Sequence, residues 1–495
     1  MHPIHTLIYY ALNHALIYPL DKDYVFNRLT HLLEINGLKP PEEVPYPKTT
    51  PIDEILKPLL DHAVNIGKIN PDTTIQRDLF ESQLMDILTP RPSELTTRFY
   101  NLHKINPKAA TNDYYALSQA TNYIKMTRIA KNEAYTVPST YGDIEITINL
   151  SKPEKDPKDI ANMKNTGDYP SCLLCKEYVG FYGNPAQPPR TNHRIIPLSL
   201  NNEPFYLQYS PYVYYNEHAI VLHEKHIPME VKEHTFKRLL DFIDLFPHYF
   251  MGSNAGLPIV GGSILHHEHY QGGHAHFPIE DAKILDTLHL KDVTYEILHW
   301  PLSTVRLKSK HKQSLIRHAE HLRQTWENYT NQKLNIIAHT KTPHNAITPI
   351  ARKDKQTYIL DIALRNNRTN DDYPDGIFHP HPDKYHIKKE NIGLIEVMGL
   401  AILPGRLKED FEHIEAILKN ERKTFNNSAM YKDWITYLKT LQYSIPIKEM
   451  LRLEAGKVFI AVLEDCGVFK QNEAGLNAFK TFIKNTLNTL EANYD

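Results

Sequence analysis

Apolar positions recur with a helical period through residues 1–140. Leu7, Tyr10, Leu12, Ala15 and Leu16 roughly follow a 3.6-residue repeat, as do Phe26, Leu29, Leu32 and Leu33. Prolines at 40, 41, 45, 47 and 51 form a connector. Beyond it the pattern predicts helices at 52–66, 78–88 and 114–130. Near residue 141 the period changes. Ile144, Ile146, Ile148 and Leu150 alternate strictly, which predicts a strand, and the Lys/Pro-rich stretch 151–157 ends it. Further strands are predicted at 194–198, 205–209, 219–223, 259–264 and 274–279. Between the third and fourth of these lies a helix, 229–246, with Phe236, Leu239, Leu240 and Ile243 on one side. Strands crossed by a helix on one face give an α+β half-barrel or open sandwich.

A helical link at 314–331 leads into a second β-rich block, 334–386, with a strand at 358–365 and the run Phe378-His-Pro-His381. Its order of strand, loop, His-x-His and helix echoes the first block and points to an internal duplication. The segment 394–403 reads as the opening of a closing helix cut by Pro404 and Gly405, and 406–495 as amphipathic helices carrying Phe411, Ile414, Ile417 and Leu418. The expected divisions are therefore a helical region at 1–140, a first half at 141–290, a helical linker at 291–333, a second half at 334–405 and a helical end at 406–495.

The charge balance excludes one large class of partner. Lys and Arg number 56 against 58 Asp and Glu, a formal charge of −2, so no overall basic field invites nucleic acid. The apolar stretch 6–18 contains Asn13 and His14 and is too short to span a membrane. The first residues lack the basic region of a signal peptide. With only three cysteines, two of them Cys172 and Cys175, the chain is not a disulfide scaffold. A soluble, cytoplasmic, reduced protein is expected.

Chemistry is concentrated in residues 261–276, where five of sixteen residues are histidines and glycine pairs bracket the dense part. If 264–271 is extended, His267, His269 and Gln271 share a face. This is not a His-Glu-x-x-His protease helix, because Gln271 stands where the second histidine is required. Three readings remain. His267 and His269 with a carboxylate such as Glu280 can make a cupin-like metal site. A nucleophilic histidine can be flanked by an orienting histidine and a hydrogen-bonding glutamine. The third is an ordinary polar strand face. Cys172 and Cys175, three residues apart, can supply half of a zinc site, with His226 and His267 as natural completing ligands; a buried apolar pair or a redox pair is the alternative. Asn192, and Asn254 before Gly256, read as turn residues or as amides for phosphate or ribose. Basic residues near strand ends, among them Lys152, Lys155 and Arg194, can meet a diphosphate.

Taken in order, Cys172-x-x-Cys175, Thr191-Asn192, the strand leading to His226, Asn254-x-Gly256 and His267-x-His269-x-Gln271 resemble the hexose-1-phosphate uridylyltransferases of the histidine-triad (HIT) superfamily. The helical start and the glycine-rich wording around the histidines are similar to the second, bacterial class. Glu268 stands where the better known class has proline. The resemblance implies an α+β fold: a duplicated HIT-like half-barrel core, an antiparallel sheet with crossing helices, and helical extensions at both ends. It implies exchange of UMP between UDP-glucose and galactose 1-phosphate, by a ping-pong route through a uridylyl-histidine on His269. Gln271 would be a donor to phosphoryl oxygen and His267 an orienting neighbour. Cys172, Cys175, His226 and His267 would hold a structural zinc, with no organic cofactor. Asn192, Asn254 and Gly256 would lie at the nucleotide, Lys152, Lys155 and Arg194 at the diphosphate, and Glu396 would accept from sugar hydroxyls. His379 and His381, with Glu280 as a loose carboxylate, match part of the family's second metal site. Family members are commonly homodimers. A HIT-type nucleotide or nucleotide-sugar phosphorylase is the alternative enzyme, and a zinc-stabilised nucleotide-binding module the alternative outside catalysis.

Overall fold

The computed structural model describes residues 2–41, 50–150, 169–262, 264–492 and 494. Helices fill the start of the chain as the 3.6-residue pattern requires, at Pro3–Asn13, Lys22–Leu32, Ile52–Asn65, Thr74–Asp86, Pro92–Ile105 and Pro107–Ala120. Their boundaries are set locally. Thr73 and Asn106 accept from the first free backbone N–H groups of their helices, and Pro92 and Pro107 occupy first-turn positions where a missing N–H costs nothing. Ile4, Leu7, Ile8 and Ala11 are buried completely, giving the first helix its inner face.

The helical region ends earlier than the expected boundary at 140. Glu133–Ser139 is a strand, β1, turned through Gly142 into β2, Gly142–Asn149. β2 is the strand predicted from the alternating isoleucines. A late strand, Leu400–Pro404, pairs parallel to it, so the helix expected at 394–403 is a single turn, Leu394–Val397, followed by a strand. Its partner lies some 250 residues back, and no local pattern reports that.

The main sheet has ten strands. In chain order they are β3 Ile196–Leu200, β4 Glu203–Tyr209, β5 Ala219–His223, β6 Phe250–Gly252, β7 His269–Gly273, β8 Ile284–Leu290, β9 Val293–Leu298, β10 Thr304–Ser309, β11 Asn345–Asp354 and β12 Thr357–Asn366, and the closing strand Leu400–Pro404 is β13. The spatial order is β3-β4-β5-β7-β6-β11-β12-β10-β9-β8. Read inward from either edge, three consecutive strands are followed by the last strand of the half and then the one before it. A helix leaves after the third strand of each half: Glu233–Leu245 in the first, Lys312–Glu327 in the second. The duplication is thus a property of the topology, and the fold is α+β with an antiparallel sheet and crossing helices. The helix expected as part of a linker at 291–333 is the crossing helix of the second half, and β8–β10 belong to that half with it.

The two faces of the sheet differ. Leu207, Tyr270, Ala351, Leu360 and Ile362 pack with Phe236, Leu240, Leu315 and Leu322 of the crossing helices. On the other face Phe250, Ile350 and Ala363 join β1, β2, β13 and the helix Ile447–Cys466 in a second core. His269 and Gln271 lie on this second face, since Gln271 pairs with Gly252 and Gly252 with Ile350. Continuing the row, Ile350 pairs with Asp361 and Asp361 with Arg306. In the second half that row is closed by a buried ion cluster: Asp361 accepts from Arg306 Nε and Arg352 Nη1 at 2.7 Å each.

Burial also fixes protonation. His193 is pushed down to about 3, and His318 and His386 to about 4, each mainly by loss of solvent. The unfolded chain binds protons at the ordinary histidine value of about 6.5. Between that value and about 4 the unfolded state therefore carries the extra protons, and stability falls as the pH is lowered through this window. Urea midpoints measured at pH 7, 6 and 5 are expected to decline stepwise, with up to about one proton of slope per buried histidine.

Candidate active site and metal-ligand cluster

Cys172 and Cys175 sit in a tight turn, closed by Cys175 N–H donating to the Cys172 carbonyl at 3.1 Å. His226 follows the end of β5 and His267 precedes β7, so adjacent strands deliver the two histidines to the turn. Cys172 Sγ lies 3.5 Å from Cys175 Sγ and 3.2 Å from His267 Nδ1, and Cys175 Sγ lies 3.2 Å from His226 Nδ1 and 3.8 Å from His267 Nδ1. All four ligand atoms lie within 4.8 Å of one another. Tetrahedral zinc with sulfur and nitrogen ligands has edges of about 3.3–3.8 Å, so the set fits that ion. Burial and the neighbouring Cys172 push the Cys175 thiol well above its usual range. His267 Nε2–H donates to the His223 carbonyl at 2.9 Å, leaving Nδ1 for a metal.

The first two residues of β7 continue from this cluster. His269 Nδ1–H donates to the His267 carbonyl at 2.8 Å, which leaves the ring lone pair to Nε2. Burial pushes His269 down to about 4, so the imidazole is neutral near pH 7. Glu268 points to the opposite face. Its carboxylate accepts from Glu230 N–H at 2.9 Å, Tyr270 Oη at 2.6 Å and Arg238 Nη1 at 3.2 Å. The residue standing in place of proline thus ties the strand to the crossing helix Glu233–Leu245. Gln271 shares the face of His269, and its Oε1 lies 3.3 Å from Nε2 of His218, the residue just before β5.

The other expected site residues are distributed as follows. Asn254 Oδ1 accepts from Leu394 N–H at 2.8 Å and anchors the segment 393–396 over the site. Gly252 leaves room for this: a Cβ there would meet Leu394 Cδ1 at 2.7 Å. Glu396, on that segment, is buried and pairs with Lys388 Nζ at 2.9 Å. Asn192 Nδ2 donates to the Thr121 carbonyl at 2.8 Å and lines a pocket with Tyr123, Lys125, Arg190 and Tyr212. Ring contacts join that pocket to the start of β5, Tyr212 to Tyr214 and Tyr214 to His218.

The remaining expected residues lie elsewhere or are otherwise engaged. Arg194 is not available to a diphosphate: its guanidinium donates to the carbonyls of Pro90, Thr191 and His193 and to Asp86, joining the N-terminal helices to the sheet. Gly256 lines a cleft with Met229, Glu230, Trp326 and Asn345 beside the crossing helices. Lys152 and Lys155 lie outside the described residues. The cupin-like arrangement fails because His267 turns to the cysteines while Glu280 pairs with Arg352 at 3.3 Å. His379 contacts Asn391 and His381 contacts Asp465, and among the described residues the Cys172, Cys175, His226 and His267 set is the one group placed to hold a metal. His218 and Lys388 are the neighbours that pattern reading misses. The only trace of His218 is a polar residue opening an apolar strand, two positions before the partner of Gln271.

Two family profiles cover most of the chain: the galactose-1-phosphate uridyl transferase N-terminal domain over residues 15–228 and its C-terminal domain over 242–433. Together they define a uridylyl-transferring enzyme built in two halves. The chain belongs to the galactose-1-phosphate uridylyltransferase family. A relative of that name from Clostridium acetobutylicum is 48% identical over 97% of this chain and 99% of its own length. The Bacillus subtilis relative is 45% identical over 97% of this chain and 96% of its own. A solved structure, yeast Ap4A phosphorylase Apa2 in complex with Ap4A, aligns at 11% identity over 73% of this chain and 97% of that one, with a TM-score of 0.39.

Proposed function

We propose that the enzyme moves UMP from UDP-glucose to galactose 1-phosphate through a uridylyl group carried on His269. The observation that carries this reading is the His269 imidazole itself: neutral, buried, with Nδ1 committed to the His267 carbonyl at 2.8 Å. Nε2 is then a free nucleophile whose direction is fixed. Attack on the α-phosphorus of UDP-glucose forms a P–N bond and breaks the bridging P–O bond, and the electron pair leaves with glucose 1-phosphate. The ring becomes cationic while Nδ1–H stays on the His267 carbonyl, which stabilises that charge. A phosphate oxygen of galactose 1-phosphate then attacks phosphorus from the other side. The P–N bond breaks, UDP-galactose departs and the neutral ring returns.

The leaving group of the first step is a sugar phosphate that titrates near about pH 6, and that of the second is the histidine ring, which departs neutral, so neither needs a proton donor. Gln271 suits this, because an amide donates a hydrogen bond to phosphoryl oxygen and delivers no proton. The pocket of Asn192, Tyr123, Arg190 and Tyr212 is reached along the tyrosine contacts and suits the nucleoside end. Asn254 acts on the site through the segment it anchors, and Glu396, on that segment and paired with Lys388, is assigned the hexose hydroxyls. When bound, zinc at Cys172, Cys175, His226 and His267 supplies a rigid joint between the turn and the histidine strand.

Mass spectrometry after treatment with UDP-glucose tests the reading: the chain is expected to gain one UMP, on His269. Kinetics requiring both substrates to be bound before any product leaves, with no adduct, would sink it. Gln271→His places a proton donor beside the phosphorus. It is expected to slow transfer about tenfold and to divert more of the adduct to water, read as the ratio of UMP released to UDP-galactose formed.

A further inference from the structure

Gln271 can help a phosphoryl oxygen only if its NH2 group, and not its carbonyl, faces the ligand. An isolated glutamine amide has no such preference, since its two ends are nearly the same size. What fixes the orientation is the group on the other side. His218 Nε2 lies 3.3 Å from Gln271 Oε1, and the His218 ring is buried, packed 4.5 Å from the Tyr215 ring and 5.4 Å from that of Tyr214. Tyr215 is itself held, its hydroxyl donating to the Gly272 carbonyl at 3.0 Å. The second ring nitrogen, Nδ1, is buried with no hydrogen-bond partner among the described residues.

That orphan decides the tautomer. Burial holds His218 neutral near pH 7, pushed down to about 4, so the ring carries one proton. A buried N–H without an acceptor costs more than a buried lone pair without a donor. The proton therefore sits on Nε2 and Nδ1 keeps the lone pair. An Nε2–H facing Gln271 needs an acceptor, which selects the amide oxygen and leaves both amide hydrogens for the ligand.

We propose that His218 is a positioning residue of the transferase: it donates to Gln271 Oε1 and thereby fixes the glutamine NH2 toward the phosphoryl group under attack. This rests on the reading of His269 as the uridylyl carrier. Its effect passes through Gln271 alone.

A double-mutant cycle tests it, using the full-length enzyme with UDP-glucose and galactose 1-phosphate. Gln271→Ala is expected to lower kcat about 100-fold, and His218→Leu about 10-fold or more, with KM for UDP-glucose changed less than about threefold. The double variant should fall within about twofold of Gln271→Ala alone, because the histidine has nothing left to orient. His218→Gln, which keeps an N–H at the end of its side chain, should recover most of the loss. If the leucine variant does not fold, His218→Asn, whose amide stops short of Gln271, takes its place in the cycle. A double-variant loss equal to the product of the single losses overturns the proposal, as does a leucine variant with unchanged kcat. The mass of the wild-type adduct separates the two levels. An adduct on His269 with a multiplicative cycle removes only the role of His218, whereas no adduct on His269 removes both.

Discussion

Replacing His269 by alanine is expected to abolish UMP transfer, lowering kcat by about 10^4-fold or more, while the protein stays folded. Both parts follow from the position of the ring. Its one recorded hydrogen bond runs to the His267 carbonyl at 2.8 Å, and β7 is held independently on both sides, by β5 and by β6. Glu268 also fastens the strand from the opposite face, to Arg238, Tyr270 and the Glu230 amide. Removing the imidazole therefore leaves the ladder in place, and the melting temperature is expected to move by no more than a few degrees. Exchange of label between UDP-glucose and glucose 1-phosphate, which needs only the first half-reaction, is the sensitive measurement. Exchange persisting in the alanine variant would show that phosphorus is never bonded to this ring.

The second large effect is expected from the metal ligands. Cys175→Ser and His226→Ala should each lower bound zinc well below one ion per chain, lower the melting temperature by several degrees and reduce transfer by about 100-fold. The reason is continuity. His267 is both a ligand of the cluster and the residue whose carbonyl orients His269. A variant that binds no ion keeps His267 by its bond to the His223 carbonyl at 2.9 Å but loses the tie from its Nδ1 to the cysteine turn, and the freedom gained passes to His269. Atomic absorption gives the occupancy and calorimetry the stability. Full activity in a zinc-free Cys175→Ser protein would separate the cluster from catalysis.

Short-range chemistry was the legible part of this chain. Cys172, Cys175, His226 and His267 form a convergent set, and the alternation begun at Ile144 and the apolar run at 219–223 mark real strands. Long-range pairing was hidden. β6 is three residues long, too short for any pattern to mark. β13 reads as helix because the strand it pairs with, β2, is far away in the chain. Residues 259–264 carry strand-like composition, yet a Cβ on Gly261 would lie 2.2 Å from the Ala255 carbonyl oxygen, so the chain folds back on itself there. Charge was misleading in the same way. Arg194 looks like a phosphate ligand by its place near a strand start, but carbonyls of Pro90, Thr191 and His193 consume its donors, and only tertiary structure brings Pro90 to it.

The near-twofold build of the sheet has a further meaning. β12 occupies in the second half the place that β7 occupies in the first, yet it contains neither histidine nor glutamine, and Asp361 is locked between two arginines. Doubling the architecture has not doubled the chemistry. On the proposed reading, one copy works as the arm that carries cargo and the other as its counterweight, which gives a single polypeptide a capacity of one nucleotidyl passenger at a time.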